Sequence, residues 1–256
     1  MGALDYSLPV GLPVFGAGIG AVTNLVGTTQ SDVSLGSWRL TCVNSGTDVV
    51  QQDTALTDFR IANQSVMCSA GTGFPSAAMA FNTHTQDEII GVSLAAGTQV
   101  TMQVTGGAAA YDVGASIATD PIADANLAPG QAPGDFDLDS IALLYPLNPT
   151  IIVAGATTVM AAVCNRTCKL GKLFLTHDNP ASYCVVTSVL IGGVEQLAQS
   201  TTGGIPLQHF FPTSTFQAEY MDFNQIITPG EQVQISILEL AGVVSNALGG
   251  FYCLPI

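Results

Sequence analysis

Basic residues are almost missing from this sequence. Five Lys and Arg stand against 19 Asp and Glu in 256 residues, a formal net charge of −14. Surfaces that bind phosphate backbones are built from clustered Lys and Arg, so a nucleic-acid-binding face is excluded. Charge of either sign is scarce. Charged side chains make up 9% of the chain, against about 25% in an average soluble domain. Thr, Ser, Gln, Asn and Gly must then supply the polar surface. Aromatic rings are few, 7% with one Trp, which argues against a sugar-binding face of exposed rings. An uninterrupted apolar helix is also lacking. No charge occurs between Asp5 and Asp32, yet Pro9, Pro13 and five glycines from Gly11 to Gly27 break that stretch, where a membrane span needs about 20 helical apolar residues. The opening MGALDYSLP has no basic region, so no secretory signal is expected, and Tyr6 stands where a myristoylation pattern wants Ser or Thr.

Catalytic signatures are missing too. There is no phosphate-binding Walker loop, HExxH or GxSxG. Gly16-Ala-Gly18-Ile-Gly20-Ala21 imitates a dinucleotide fingerprint, but the residues after it make a poor helix. None of His84, His177 and His209 has a nucleophile and an acid at a recognised spacing. Cys164, Cys168, His177 and Cys184 could be read as a zinc set, but strand periodicity explains the same residues, and buried thiols are the expectation for all six cysteines. Asn63 and Asn165 open glycosylation sequons, read as accidental without a signal peptide. Asp135, Asp137 and Asp139 alternate and would share one side of an extended segment, where Ca²⁺ could be held with Asp120 and Asp124 nearby. A solvated linker is the favoured reading of that cluster. The expectation is a protein that is not an enzyme, with no catalytic, cofactor-binding or metal-binding residues.

What is present is a repeat. Shifted by 135 residues, GAVTNLVGTTQSDVSLGSWRLT (20–41) lies on GATTVMAAVCNRTCKLGKLFLT (155–176) without a gap. The identities are Gly20/Gly155, Ala21/Ala156, Thr23/Thr158, Leu35/Leu170, Gly36/Gly171, Leu40/Leu175 and Thr41/Thr176. Further on, LTDFRIANQSV parallels VTSVLIGGVEQL, Gly73-Phe-Pro75 parallels Gly204-Ile-Pro206, and GTQVTMQV (97–104) parallels GEQVQISI (230–237). Tyr145-Pro146-Leu147 is matched with Leu254-Pro255-Ile256. The expected organisation is an N-terminal arm at 1–12, a first copy at 13–147 with an insert near 106–135, and a second copy at 148–256. The period is far too long for a solenoid and suits one all-β domain.

Each copy reads as β. Val100, Met102 and Val104 alternate with Thr and Gln, as do Val233, Ile235 and Ile237, and Trp38, Leu40 and Cys42 follow the same period of two. CVVTSVLI (184–191) suits a strand covered on both faces. Turn chemistry lies between, at Ala96-Gly97, Asp178-Asn-Pro180 and Pro229-Gly230. Short helical turns are expected at 75–81 and 206–211, each opened by Pro. About seven or eight short strands per copy make a β-sandwich or jelly roll, so the fold class is all-β, two tandem sandwiches related by duplication. A surface with so little charge resists edge-to-edge association poorly and suits a chain destined for an assembly.

The duplicated LGSWRLT/LGKLFLT, GFP/GIP and GTQVTMQV/GEQVQISI segments, with an insert in one copy and an uncharged N-terminal arm, resemble the double-jelly-roll major capsid proteins of tailless icosahedral, membrane-containing viruses and phages. The resemblance implies a structural coat protein of the virion, without cofactors, that assembles as pseudo-hexagonal homotrimers. Its implied partners are copies of itself in the lattice, with minor capsid or vertex proteins and an internal lipid membrane as further candidates. The membrane would be met through the N-terminal arm, the apolar residues 8–26 being the candidate. Other readings are a sheath, spike or surface-layer subunit, and a carbohydrate-binding sandwich.

Overall fold

The computed structural model describes residues 10–17, 20–44, 53–77, 92–107, 109–121, 144–198, 203–210, 222–254 and 256. The first half holds β1 (Val10–Ala17), β2 (Val22–Thr28), β3 (Val33–Asn44), β4 (Ala55–Ile61), β5 (Gln64–Ser65), β6 (Phe74–Pro75), β7 (Ser93–Leu94), β8 (Gln99–Thr105) and β9 (Tyr111–Pro121). They form two sheets, ordered β1-β9-β3-β7 and β2-β8-β4-β5, with β6 also on β4. The second half holds β10 (Leu144–Pro146), β11 (Thr150–Ile152), β12 (Thr157–Val163), β13 (Cys168–His177), β14 (Cys184–Ile191), β15 (Val194–Glu195), β16 (Ile205–Pro206), β17 (Asp222–Ile227), β18 (Gln232–Glu239) and β19 (Ser245–Leu254). Its sheets run β10-β19-β13-β17, with β11 also on β19, and β12-β18-β14-β15, with β16 on β14. In each half successive long strands fall in opposite sheets, and the last strand returns beside the first. That is jelly-roll connectivity. The chain is a double jelly roll.

The two halves match in their irregularities as well as in strand order. The ladder of β3 on β9 slips between Leu35 and Trp38, and that of β13 on β19 slips between Leu170 and Leu173, 135 residues on. The paired Leu-Gly dipeptides of the sequence lie at these slips, where a bulge favours a residue without a side chain. The hairpin after β4 turns on Ala62 and Asn63, and the one after β14 on Gly192 and Gly193, all four with positive φ. Two such residues make the tight turn whose twist suits a hairpin. Across these hairpins Asp58 accepts a hydrogen bond from Ser65 in the first half, while Ser188 donates one to Glu195 in the second, so acid and hydroxyl have traded strands. The short turns expected after Pro75 and Pro206 are present as helical turns at Ser76–Ala77 and as a 3-10 helix at Leu207–Phe210; residues 78–81 and 211 lie outside the described residues.

Three readings of the sequence are corrected. The Ala- and Gly-rich stretch assigned to an insert includes β9, which pairs with both β1 and β3 at the centre of its sheet. Its small residues hid the alternation of Tyr111, Val113, Ala115 and Ile117, all buried. Tyr145-Pro146-Leu147 does not close the first copy. Leu144–Pro146 and Thr150–Ile152 both pair with β19, so this segment opens the second sandwich as β1 opens the first. Of the apolar residues 8–26, read as a membrane-facing arm, 10–17 form β1 and 22–26 belong to β2 of the first sandwich, where Val10, Leu12 and Leu25 are core residues; 8, 9, 18 and 19 lie outside the described residues. Among the described residues no helix is long and apolar enough to cross a membrane.

Candidate functional site: the seam between the sandwiches and their open edges

The segment 66–77 of the first half is laid against the second half by main-chain hydrogen bonds. Met67 bridges Leu144, Ser69 bridges Cys164, and Gly73 bridges Leu147. The Cys68 amide donates to the Leu144 carbonyl at 2.9 Å, and the Ala70 amide to Val163 O at 2.9 Å. The Ser69 hydroxyl donates to the Pro146 carbonyl. Gly71 is needed here, because a Cβ at that position would fall 1.9 Å from the same Pro146 oxygen.

Side chains then cross the seam in both directions. Phe174 and Tyr252 of the second half join the first core, and Cys68 of the first half joins the second core. Phe74 stands between, with ring centroids 6.3 Å from Phe174 and 5.4 Å from Tyr252, while Phe174 and Tyr252 meet edge to face at 4.9 Å. A Cβ on Gly250 would come 2.5 Å from the Phe74 ring, so Phe74 lies on bare backbone of β19. Such pairs stabilise by area and by ring geometry.

All six cysteines are buried thiols. Four of them gather at the seam. The Sγ atoms of Cys68, Cys168 and Cys253 lie within 4.8 Å of one another, with Cys68 and Cys253 at 3.1 Å. Cys164, in the turn before β13, donates its thiol to the Arg166 carbonyl at 2.8 Å. Burial pushes the Cys68 thiol up, but hydrogen bonds from Cys168 and Cys253, with the Arg166 guanidinium nearby, outweigh it and hold Cys68 below the ordinary thiol range. Cys253 is pushed up by burial and by the same neighbours. The set weighed from the sequence is not brought together. Cys184 hydrogen-bonds Ser182, and His177, held below the usual imidazole range by burial, faces Asn179, Asp178 and Glu239. Cys68 and Cys253 were invisible as partners of the CxxxC pair because they are about 100 and 85 residues away in sequence, and only the seam joins them.

A cleft of about 530 Å³ opens beside the seam, lined by residues that include Asp53, Thr57, Thr72, Gly107, Pro149 and Asn246. Among the described residues no aromatic ring lines it. His209 is exposed on the 3-10 helix. His84, Asp124, Asp135, Asp137 and Asp139 lie outside the described residues, and of Asp120 only the backbone is described, paired with Ser34 in the ladder of β3 on β9.

Three strands at sheet edges carry no charge, and the last of them meets the seam at its Val163 end. β1, β2 and β12 are edge strands of their sheets, and none of VGLPVFGA, VTNLVGT and TTVMAAV carries a charge. Val22 and Val26 on β2, and Val159 and Val163 on β12, are exposed. Soluble monomers commonly protect such edges with Lys, Pro or a bulge; β1 has Pro13, and β2 and β12 have none of these residues.

No family model matches this chain, and no curated protein does. Among solved structures, the one described as "Crystal Structure of the STIV MCP" matches over 96% of this chain and 96% of that chain, at 10% identity and a TM-score of 0.43.

One carboxylate shapes the end of the second sandwich. Glu239 is buried and accepts from the amides of Gly155 (3.2 Å), Ala241 (2.8 Å) and Gly242 (2.7 Å), tying the turn before β12 to the turn after β18. Burial alone would raise its pKa, but these amides more than offset it and hold the carboxyl below its ordinary value. A depressed folded pKa means the stabilisation is complete above the unfolded carboxyl value and is lost as pH falls through the folded one. Glu239→Gln is therefore expected to lower Tm at neutral pH and to flatten its fall on acidification below about pH 4.5. Thermal melts of both proteins across that range check this; parallel curves would remove Glu239 from the account.

Proposed function

We propose that this chain is a structural coat subunit that self-assembles, as pseudo-hexagonal homotrimers, into an icosahedral virion shell. The observation that carries the reading is the pairing of two jelly rolls in one subunit, locked at their seam, with edge strands β2 and β12 that carry no charge. Three such chains present six similar sandwiches around one axis, the symmetry a hexagonal tile needs. The uncharged edges supply surface for neighbours, and the shortage of Lys and Arg agrees with a shell that does not touch bare genome. In this reading the subunit works as a building block and not as an enzyme, its partners are its own copies with vertex proteins as further contacts, and its place is the virion.

Light scattering of the purified full chain, followed by electron microscopy, tests the proposal. Trimers and closed shells or hexagonal sheets are expected. A stable monomer at every concentration would overturn it, and filaments would favour a sheath subunit instead.

A further inference from the structure

The thiols at the seam are more numerous than packing requires. Carried back by the 135-residue shift, Cys164 and Cys168 correspond to Thr29 and Val33. Cys253, which faces Leu170, corresponds to Thr119, which faces Leu35. The same fold is thus built in the first half without cysteine at these positions. In the second half they are cysteines, and Cys68 of the first half reaches across to meet them. Three of the six cysteines, Cys68, Cys168 and Cys253, converge on one buried point, and Cys164 sits at the turn that leads into the strand carrying Cys168.

We propose that Cys68, Cys164, Cys168 and Cys253 form a structural site for a thiophilic divalent cation, Zn²⁺, which joins the two jelly rolls. Structural zinc takes four thiolates in a tetrahedron, with Zn–S of about 2.3 Å and hence S–S edges of about 3.8 Å. Three of these sulfurs already lie within 4.8 Å of one another; Cys68 and Cys253, at 3.1 Å, need only separate slightly. Cys164 and Cys168 are spaced C-x₃-C, within the C-x₂₋₄-C range of zinc ligand pairs, and the Cys164 thiol, which donates to the Arg166 carbonyl at 2.8 Å, would turn from it to supply the fourth sulfur. The site is closed, since Cys68 and Cys168 are fully buried and Cys164 and Cys253 nearly so. On binding, the four thiols release four protons and the cation takes up four S–Zn bonds, with no change of oxidation state.

The test uses the full chain, purified under reducing conditions without chelator, and does not depend on how the protein assembles. Elemental analysis is expected to find one zinc per chain, and Co²⁺ exchange to give the intense near-ultraviolet thiolate-to-cobalt absorption of a sulfur-rich site. Cys68→Ser and Cys253→Ser are expected to lower metal content at least tenfold, while Cys42→Ser and Cys184→Ser, outside the cluster, keep it. Should the seam variants fail to fold, the wild-type metal content and cobalt spectrum decide alone. A metal-free wild-type protein with six titratable thiols, or one with a Cys68–Cys253 disulfide found by mass spectrometry, would overturn the proposal.

Discussion

Phe74→Ala is expected to cost about 3–5 kcal/mol and to split the unfolding of this protein into two transitions. The magnitude is that of removing a fully buried ring whose surroundings collapse only in part. Collapse is limited here because the ring rests on the backbone of Gly250, which cannot move without breaking the β19 ladders. The splitting follows from position. Phe74 is the ring through which Phe174 and Tyr252 belong to the first core, so its loss weakens the coupling between two sandwiches that each retain their own sheets. Differential scanning calorimetry is the measurement. A single transition shifted by less than about 1 kcal/mol would show that the main-chain bridges alone unite the halves. Phe74→Leu, which keeps most of the volume, should behave nearer to wild type.

The Trp38→Ala variant should lose a similar amount, about 3–5 kcal/mol, with a different signature. Trp38, on β3, packs against Phe59, on β4, with ring centroids 5.0 Å apart. That pair spans the two sheets of the first sandwich. Its equivalents across the repeat are Leu173 and Val189, aliphatic and also buried, so the second sandwich does not depend on it. With the seam intact, removing the indole should lower the single melting transition of the chain and, below it, let the first sandwich open locally more often than the second. Hydrogen exchange followed by mass spectrometry reads this directly: amides of β3, β4, β8 and β9 should lose protection, and those of β13, β14, β18 and β19 should keep it. Equal loss in both sets would mean the halves unfold only together.

The architecture was legible because it was written twice. Period-two alternation marked β8 and β18, and the Leu-Gly pairs that looked like mere identities turned out to lie at the slips of two equivalent ladders. The errors arose where composition masked periodicity. In β9, Gly114 and Ala115 diluted the signal of a central strand, and in Tyr145-Pro146-Leu147 a shared Pro suggested an ending where the backbone begins a new sheet. The thiol cluster was the least legible feature. Cys164 and Cys168 drew attention by spacing, and His177 and Cys184 were paired with them because they follow closely in the chain. A sheet sends such neighbours in different directions, and brings Cys68 and Cys253 to the place instead. No pattern along one sequence contains that information.

The exchange of side chains across the seam bears on what each half would be by itself. Separated, the first would expose Phe74 and Cys68, and the second Phe174 and Tyr252, rings and thiols that water would meet unfavourably. The peptide connection makes their docking an intramolecular event at an effective concentration in the millimolar range or above, so a handful of groups can hold what two free proteins would need a much larger contact to achieve. The swap therefore suits two modules that have become permanent companions, and it turns a tandem array into a single rigid brick.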